Sequence, residues 1–252
     1  MSDPTGLGGA APPGAAADPE GLADAALPAA ADDGRLRRAL EESGRIWLRG
    51  GASAAELERI GDLVRLGGRP GARIDAASAL FAAVAGAAFS ARIGAIWPGM
   101  RPVRIVAFDK SAGANWGVPW HQDRVIAVAG RADAPGCSNW TLKAGVWHCE
   151  PPVDLLQSML FVRLHLDSND AENGAMEIAP GSHRAGLIPT DAAERVAAAG
   201  PTEITAAAPG DVLVLAMLTL HRSLPSRDPA ARRVLRIDYA AGPPPAPLAW
   251  AV

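Results

Sequence analysis

The chain has 252 residues, 49% of them hydrophobic but only 5% aromatic, and a formal net charge of -3 at pH 7. That length suffices for one large domain with its own core or for two small ones, while the interspersed charge offers neither a basic footprint for nucleic acid nor a polybasic membrane patch. The longest apolar run, residues 76–91, is alanine-rich, broken by Ser78, Gly86 and Ser90, and shorter than the roughly 20 residues that cross a bilayer, so a small molecule is the expected partner.

Residues 1–33 are Ala, Gly, Pro and Asp with almost no large apolar side chain. Such a segment cannot offset its own ordering entropy and is expected to be a disordered leader. Its early acidic residues, with no basic stretch followed by an apolar one, do not resemble a secretory signal. The two cysteines, Cys137 and Cys149, suit a reducing compartment better than a disulfide framework, which points to the cytoplasm. Residues 34–252 are read as a single domain.

From Leu36 the sequence RLRRALEESGRIWLRG predicts a short helix, a turn at Gly44 and a strand over 45–48. Ser53 and Glu56 form a capping box, and Leu57, Ile60, Leu63 and Val64 recur at helical spacing, which predicts a helix over 54–65. A further helix is predicted over 76–89, with Leu80, Phe81, Val84 and Ala88 on one side. After Met100 the segments RPVRIVAFD, PWHQDRVIAV, LLQSMLFVRLHLD, AMEIA, DVLVLAML and RRVLRIDYA read as strands between Gly, Pro, Asn and Asp clusters. Many short strands without regular helices between them predict a mainly β fold with flanking helices, an antiparallel sandwich or barrel, and argue against a parallel doubly wound sheet. No Gly-rich phosphate fingerprint and no internal repeat is present.

Chemistry is announced in WGVPWHQDRVIAV. His121 and Asp123, two apart on a strand, share a face while Gln122 points away. An imidazole and a carboxylate supply two ligands to a divalent metal; a second histidine would complete a facial triad that leaves positions open on iron(II) for a chelating cosubstrate and dioxygen. His148, His165, His183 and His221 compete for the third place, and His221 is favoured because it ends the strand-like run GDVLVLAMLTLH. Arg232 follows eleven positions later, after the loop-like RSLPSRDPA, so a hairpin would return it to the same cavity. There its guanidinium can hold a carboxylate by two charge-assisted bonds. The plainer reading has His221 capping a strand and Arg232 solvated.

Taken together, FDKSAGANWGVPWHQD, VRLHLDSNDAENGAMEIAPGSHRAG, and PGDVLVLAMLTLHRSLPS followed by RRVLRIDYA resemble the phytanoyl-CoA dioxygenase family of iron(II)- and 2-oxoglutarate-dependent oxygenases. The similarity runs from about Gly44 to the C-terminal PPPAPLAW. It implies a double-stranded β-helix, a cupin-like jelly roll with helices packed outside. It implies that His121, Asp123 and His221 hold iron(II), that Arg232 anchors the distal carboxylate of 2-oxoglutarate, that Arg233 faces away, and that Ser223 brings a hydroxyl near the same carboxylate. The resemblance also places Arg104 and Arg163 near the cosubstrate, where they contact it or an acidic group of the substrate; the plainer reading pairs them with carboxylates at the barrel rim. The activity implied is hydroxylation of a C–H bond with consumption of dioxygen (O2) and release of succinate and carbon dioxide. A carboxylate at position 123 occupies the space a halogenase would need for chloride.

Two other classes remain to be weighed: a non-catalytic jelly-roll binding module, and a metal-dependent hydrolase that activates water. Three ligands together with Arg232 argue against the first, and the lack of an obvious extra general base argues against the second. His165 shares a strand face with Arg163 and reads as a hydrogen-bonded interior histidine, while His183 in the turn PGSH reads as a backbone partner. Cys137, His148 and Cys149 lack a fourth ligand for zinc. Trp116 and Trp120 flank the metal motif as core or cavity wall, with Trp120 a candidate to touch substrate. Lys110 and Asn115 receive no role from physics, and residues 130–152, which border the substrate in the family, are silent about its identity.

Overall fold

The computed structural model describes residues 32–110, 115–227 and 232–252, with the side chain of Lys110 excepted. The leader expected over 1–33 therefore lies outside the described residues but for its last two positions, the second of which already begins α1 (Asp33–Ser43). This helix buries Leu36 and Leu40, one turn apart, and ends where Gly44, at φ 73°, donates its N–H to the Leu40 carbonyl. The left-handed cap turns the chain into β1 (Arg45–Leu48). Helix α2 (Ala54–Leu63) opens on the expected capping box, with the Ser53 hydroxyl accepting from the Glu56 N–H and the Glu56 carboxylate accepting from the Ser53 N–H. It stops short of residue 65 because Val64 is already extended. A short strand the sequence reading did not anticipate, β2 (Gly71–Ile74), follows.

The single helix expected over 76–89 is two, α3 (Ala79–Ala85) and α4 (Ala88–Ile96). Gly86 ends the first and Ala87, in an extended conformation, starts the second. The bend leaves Ala88 exposed, and Phe89, Ile93 and Ile96 enter the core in its place. Among the described residues no single helix is long and apolar enough to cross a membrane.

The β-rich remainder comprises β3 (Arg101–Lys110), β4 (Val118–His121), β5 (Ile126–Val128), β6 (Ser138–Lys143) and β7 (Val146–Glu150), then α5 (Val153–Gln157), β8 (Leu160–His165), β9 (Met176–Ile178), α6 (Ala193–Ala198), β10 (Glu203–Ile204), β11 (Val212–Ala216), β12 (His221–Ser223) and β13 (Arg232–Ala240). A six-stranded sheet runs β1-β11-β8-β13-β3-β2 and a four-stranded one β10-β9-β12-β4, both antiparallel throughout, with a smaller sheet β5-β7-β6 beside them. Side chains from the two larger sheets meet around one cavity, which makes the architecture a double-stranded β-helix with helices outside.

Period-two alternation decides what each face of the large sheet meets. On β8 and β13, Leu160, Val162, Leu164, Leu235, Ile237 and Tyr239 join the core built with α1, α2, α3 and α4. The opposite face carries Phe161 with Leu213 and Leu215 into a second core, then gives way to Arg163, Arg232 and Arg236 at the cavity.

Three expectations about strands are corrected. The run 119–128 is not one strand, since β4 ends at His121 and β5 resumes at Ile126. His221 does not end the strand that begins at Val212: β11 stops at Ala216, residues 217–220 turn, and His221 opens β12 in the other sheet. Nor is there a hairpin bringing Arg232 back beside His221. Strand β12 pairs with β4 and β9, whereas β13 pairs with β3 and β8, so the two residues reach the cavity from different sheets. Residues 228–231 of the connecting turn lie outside the described residues.

Candidate metal centre

Strand pairing sets the two histidines side by side. His121, last residue of β4, is directly opposite His221, first residue of β12, and their ring centroids are 4.2 Å apart. Asp123, beyond the end of β4, reaches back so that its Oδ2 lies 3.3 Å from His221 Nε2. One donor atom from each of the three residues falls within 4.8 Å of the others. Gln122 does point away, although it is not in a strand. Its amide donates to the carbonyls of Gly186 and Leu218 and accepts from the Ile188 N–H, and that buried anchor holds its two neighbours toward the cavity.

Both rings are set for coordination. Nδ1 of His121 lies 2.8 Å from the Pro119 carbonyl and Nδ1 of His221 lies 2.9 Å from that of Thr219. A carbonyl only accepts, so each Nδ1 carries a proton and Nε2 is the atom each ring can offer to a metal. Burial, with His221 beside it, pushes the His121 pKa down and keeps that ring neutral. Burial works against the charge of Asp123, but Arg236 and then His221 outweigh it and hold the carboxyl well below its usual range. Two imidazoles and one carboxylate lining one cavity make the donor set of a facial triad, which suits a first-row divalent cation and leaves its other side open.

The cavity, of about 200 Å³, is walled by Phe108, Trp116, Val118, Phe161 and Met176, and its remaining charge is cationic. Arg232 is buried, with Nη1 donating to Asn169 Oδ1 at 3.0 Å and to the Gly174 carbonyl at 2.7 Å. Its Nε has no acceptor among the described residues, and burial lowers its pKa to about 10. Arg163 is buried beside it with Nη1 3.7 Å from Met176 Sδ and Nε likewise without an acceptor. Burial, then Arg232 and Arg236, bring it down to about 9. Both remain cations at neutral pH, and neither has a carboxylate partner among the described residues. Ser223, two after His221, lines the same cavity, while Arg233 turns outward onto Asp167 at 2.9 Å.

Arg236 was missed in the sequence. Its Nη1 lies 2.5 Å from Asp123 Oδ2, its Nε 2.8 Å from Asp238 Oδ1, and its guanidinium 4.7 Å over the Phe161 ring. Burial disfavours its charge, but Asp123 and Asp238 raise its pKa above the ordinary value. The signal was present: Arg232, Arg236 and Asp238 are separated by even intervals in one strand and so share its face.

Of the two arginines that interrupt apolar strands, Arg163 reaches the cavity and Arg104 does not. Arg104 pairs with Asp238 at 3.2 Å and lines a neighbouring cavity. His165 is an interior histidine, with Nδ1 donating to the Asp211 carbonyl at 3.1 Å and its ring beside Trp47. His183 lies against the Glu41 carbonyl. Trp116 lines the cavity, but Trp120 packs with Ile188, Ala193 and Leu220 in a separate cluster and does not line it. Asn115 ties its segment to residue 226, exchanging hydrogen bonds with the Ser226 backbone.

The family model for phytanoyl-CoA dioxygenase (PhyH) matches residues 70–234, well over half of the chain. Among solved structures, EctD from S. alaskensis with bound Fe is similar at a TM-score of 0.60 and 18% identity, over 82% of this chain and 76% of that one. HygX from Streptomyces hygroscopicus with nickel and 2-oxoglutarate bound is similar at 0.55 and 19%, over 82% and 86%. AviO1 from Streptomyces viridochromogenes is similar at 0.59 and 19%, over 88% and 100%. No curated protein matches the sequence.

Proposed function

This chain belongs to the phytanoyl-CoA dioxygenase family of iron(II)- and 2-oxoglutarate-dependent oxygenases, and from that premise we propose that it hydroxylates a C–H bond of an acidic small molecule in the cytoplasm. The observation that carries the reading is the meeting of two side-chain groups in one cavity. One holds His121, Asp123 and His221, with two Nε2 atoms and a carboxylate; the other holds Arg232 and Arg163, buried cations with no carboxylate partner among the described residues. In this assignment the triad holds iron(II) and Arg232, with Ser223 lining the same cavity, takes the distal carboxylate of 2-oxoglutarate. When bound, iron and cosubstrate supply the oxidising chemistry with dioxygen, one oxygen atom going to the substrate and the other to succinate as carbon dioxide leaves.

What the chain itself contributes is orientation and exclusion of water. Thr219 and Pro119 fix the imidazole tautomers, Arg236 fixes Asp123, and Phe108, Phe161 and Met176 keep the cavity apolar around the reacting groups. Acidity of the substrate is supported by charge. After 2-oxoglutarate has met the metal and Arg232, Arg163 within the cavity and Arg104 next door still outnumber their anions. The cytoplasmic assignment is supported by Cys137 and Cys149 being free thiols.

The hydrolase alternative fails on the cavity lining. Apart from His121, Asp123 and His221, the ionisable residues that line it among the described residues are all arginines, none of which takes a proton from water. A pure binding module would not need both rings set in the metal-binding tautomer. The test is anaerobic addition of iron(II) and 2-oxoglutarate, which should develop the weak visible charge-transfer band of the chelate. His121→Ala should abolish it and, with it, succinate release in the presence of a substrate. No band in the wild type, or an undiminished one in His121→Ala, refutes the assignment.

A further inference from the structure

Beside the metal cavity lies a second one of about 310 Å³, with Arg73, Arg104 and Val106 on its wall, and it shares Phe108 and Trp116 with the first. We propose that this second cavity is the subsite for an oxyanion of the substrate, held by Arg73 and Arg104 while the substrate's apolar part crosses Phe108 and Trp116 toward the metal. The proposal rests on the oxygenase reading for what happens at the metal, but the anion subsite stands on its own residues.

Register places the two cations together. Arg73 on β2 is opposite Val106 on β3, and Arg104 is two residues along β3, hence on the same face and diagonal to Arg73. His148 on β7 is fully buried and backs Arg73 from beneath the wall. Its Nδ1 donates to the Val146 carbonyl at 3.0 Å, so Nε2 is left to accept from Arg73 Nε at 3.3 Å. Burial, then the charges of Arg104 and Arg73, press the His148 pKa down to about 4, which keeps the ring a neutral acceptor. The guanidinium of Arg73 is thus held by Nε, and no carboxylate pairs with it among the described residues.

Arg104 is similarly under-compensated. Its Nη1 lies 3.2 Å from Asp238 Oδ2, its Nε is buried with no acceptor among the described residues, and Asp238 is already bound by Nε and Nη2 of Arg236. Burial lowers the Arg104 pKa and Arg73 adds to that effect. Two guanidiniums that repel each other on one cavity wall are relieved by one carboxylate or phosphate, whose oxygens match their forks. Since the aromatic wall lies between this anion and the metal, the implied substrate carries its acid away from the carbon it presents for oxidation, with an apolar stretch in between.

The probes are benzoate, phenyl phosphate and, as the neutral counterpart, benzyl alcohol, titrated calorimetrically into the protein loaded anaerobically with iron(II) and 2-oxoglutarate. At least one anion should bind about tenfold or more tightly than the alcohol, and Arg73→Gln should weaken it by about tenfold, with Arg73→Lys recovering part. Arg73 is exposed at the edge of the sheet, so the variants should fold, and the visible band with 2-oxoglutarate should be unchanged in both. Preference between the two anions tells a carboxylate substrate from a phosphorylated one. Equal binding of an anion by wild type and Arg73→Gln, or no preference of the wild type for either anion over the alcohol, overturns the subsite. Repeating the titration without metal and 2-oxoglutarate separates the two readings: a missing visible band with intact anion binding faults the oxygenase assignment alone.

Discussion

Arg232→Gln should weaken 2-oxoglutarate binding on the order of a hundredfold while leaving metal binding almost unchanged. The guanidinium commits Nη1 to Asn169 and Gly174, at 3.0 and 2.7 Å, and leaves Nε buried without an acceptor, so one corner is anchored by protein and the adjoining edge is free for a carboxylate. Charge-assisted hydrogen bonds contribute about 1.5–3 kcal/mol each, and a bidentate pair contributes two of them. Independently, burial has moved this pKa from 12.5 to about 10, a desolvation cost of roughly 3 kcal/mol that a bound carboxylate relieves. A loss of roughly 3 kcal/mol is about two decades in Kd. The assay is anaerobic titration of the iron(II) protein with 2-oxoglutarate, with metal affinity measured separately by calorimetry and folding checked by urea denaturation. Glutamine also leaves the Asn169 and Gly174 oxygens short of a donor, at about 1–2 kcal/mol of stability. A cosubstrate Kd within about threefold of wild type, in a folded variant, would refute the anchoring role.

Other perturbations separate neighbouring claims. Arg236→Met should reduce metal affinity by about 10- to 100-fold, as loss of a group orienting a ligand commonly does, because Asp123 loses its 2.5 Å partner; Arg236→Lys should restore part, and wild-type metal affinity in the Met variant would rule out the orienting role. For His165, burial and then Arg163 place the folded pKa at about 3, below the unfolded value near 6.5, so the unfolded state takes up the proton first. Its contribution to stability is whole above pH 6.5 and is lost as pH falls toward 3, with about 2 kcal/mol gone by pH 5. His165→Asn, which keeps a donor toward the Asp211 carbonyl, should shrink the difference in urea stability between pH 8 and pH 5 by about that amount, and an unchanged difference would show the ring is not the cause. Gly44→Ala should cost at least about 2 kcal/mol, since the backbone is left-handed and an added Cβ would fall 2.5 Å from His183 Nδ1 and 2.8 Å from Thr219 Oγ1. Gly50, at φ 58° in open space, should lose only the backbone share of about 1 kcal/mol on the same change; equal losses at the two sites would remove the steric argument.

Local pattern located the candidate ligands but not the shape that unites them. His121 and Asp123 were recognisable as neighbours on one face, yet the chain leaves β4 at His121, and what holds Asp123 in place is Gln122 bonding to Gly186, Ile188 and Leu218, partners 64 to 96 residues away. The apolar run from Val212 to Leu220 looked continuous because both halves are buried, and composition does not record that Ala216 ends one sheet and His221 begins the other. Arg104 and Arg163 looked equivalent as charges within apolar strands. They differ because Arg163 lies opposite Arg236 in the middle of the large sheet, whereas Arg104 lies opposite Asp238 and finds a carboxylate there.

By itself the sequence determined the β-rich character, the caps at Gly44 and Ser53, and the identities of two imidazoles, a carboxylate and an arginine fit for iron and a dicarboxylate, because these depend on side-chain chemistry and on periods of two and 3.6 residues. Only the tertiary structure decided that the two histidines and Arg232 reach one cavity from different sheets, that Arg236 braces Asp123, and that Arg73 and Arg104 share one wall with His148 buried behind Arg73. Those outcomes depend on strand register and sheet crossing, which are settled by packing between segments far apart in the chain and leave no mark in any short window of it.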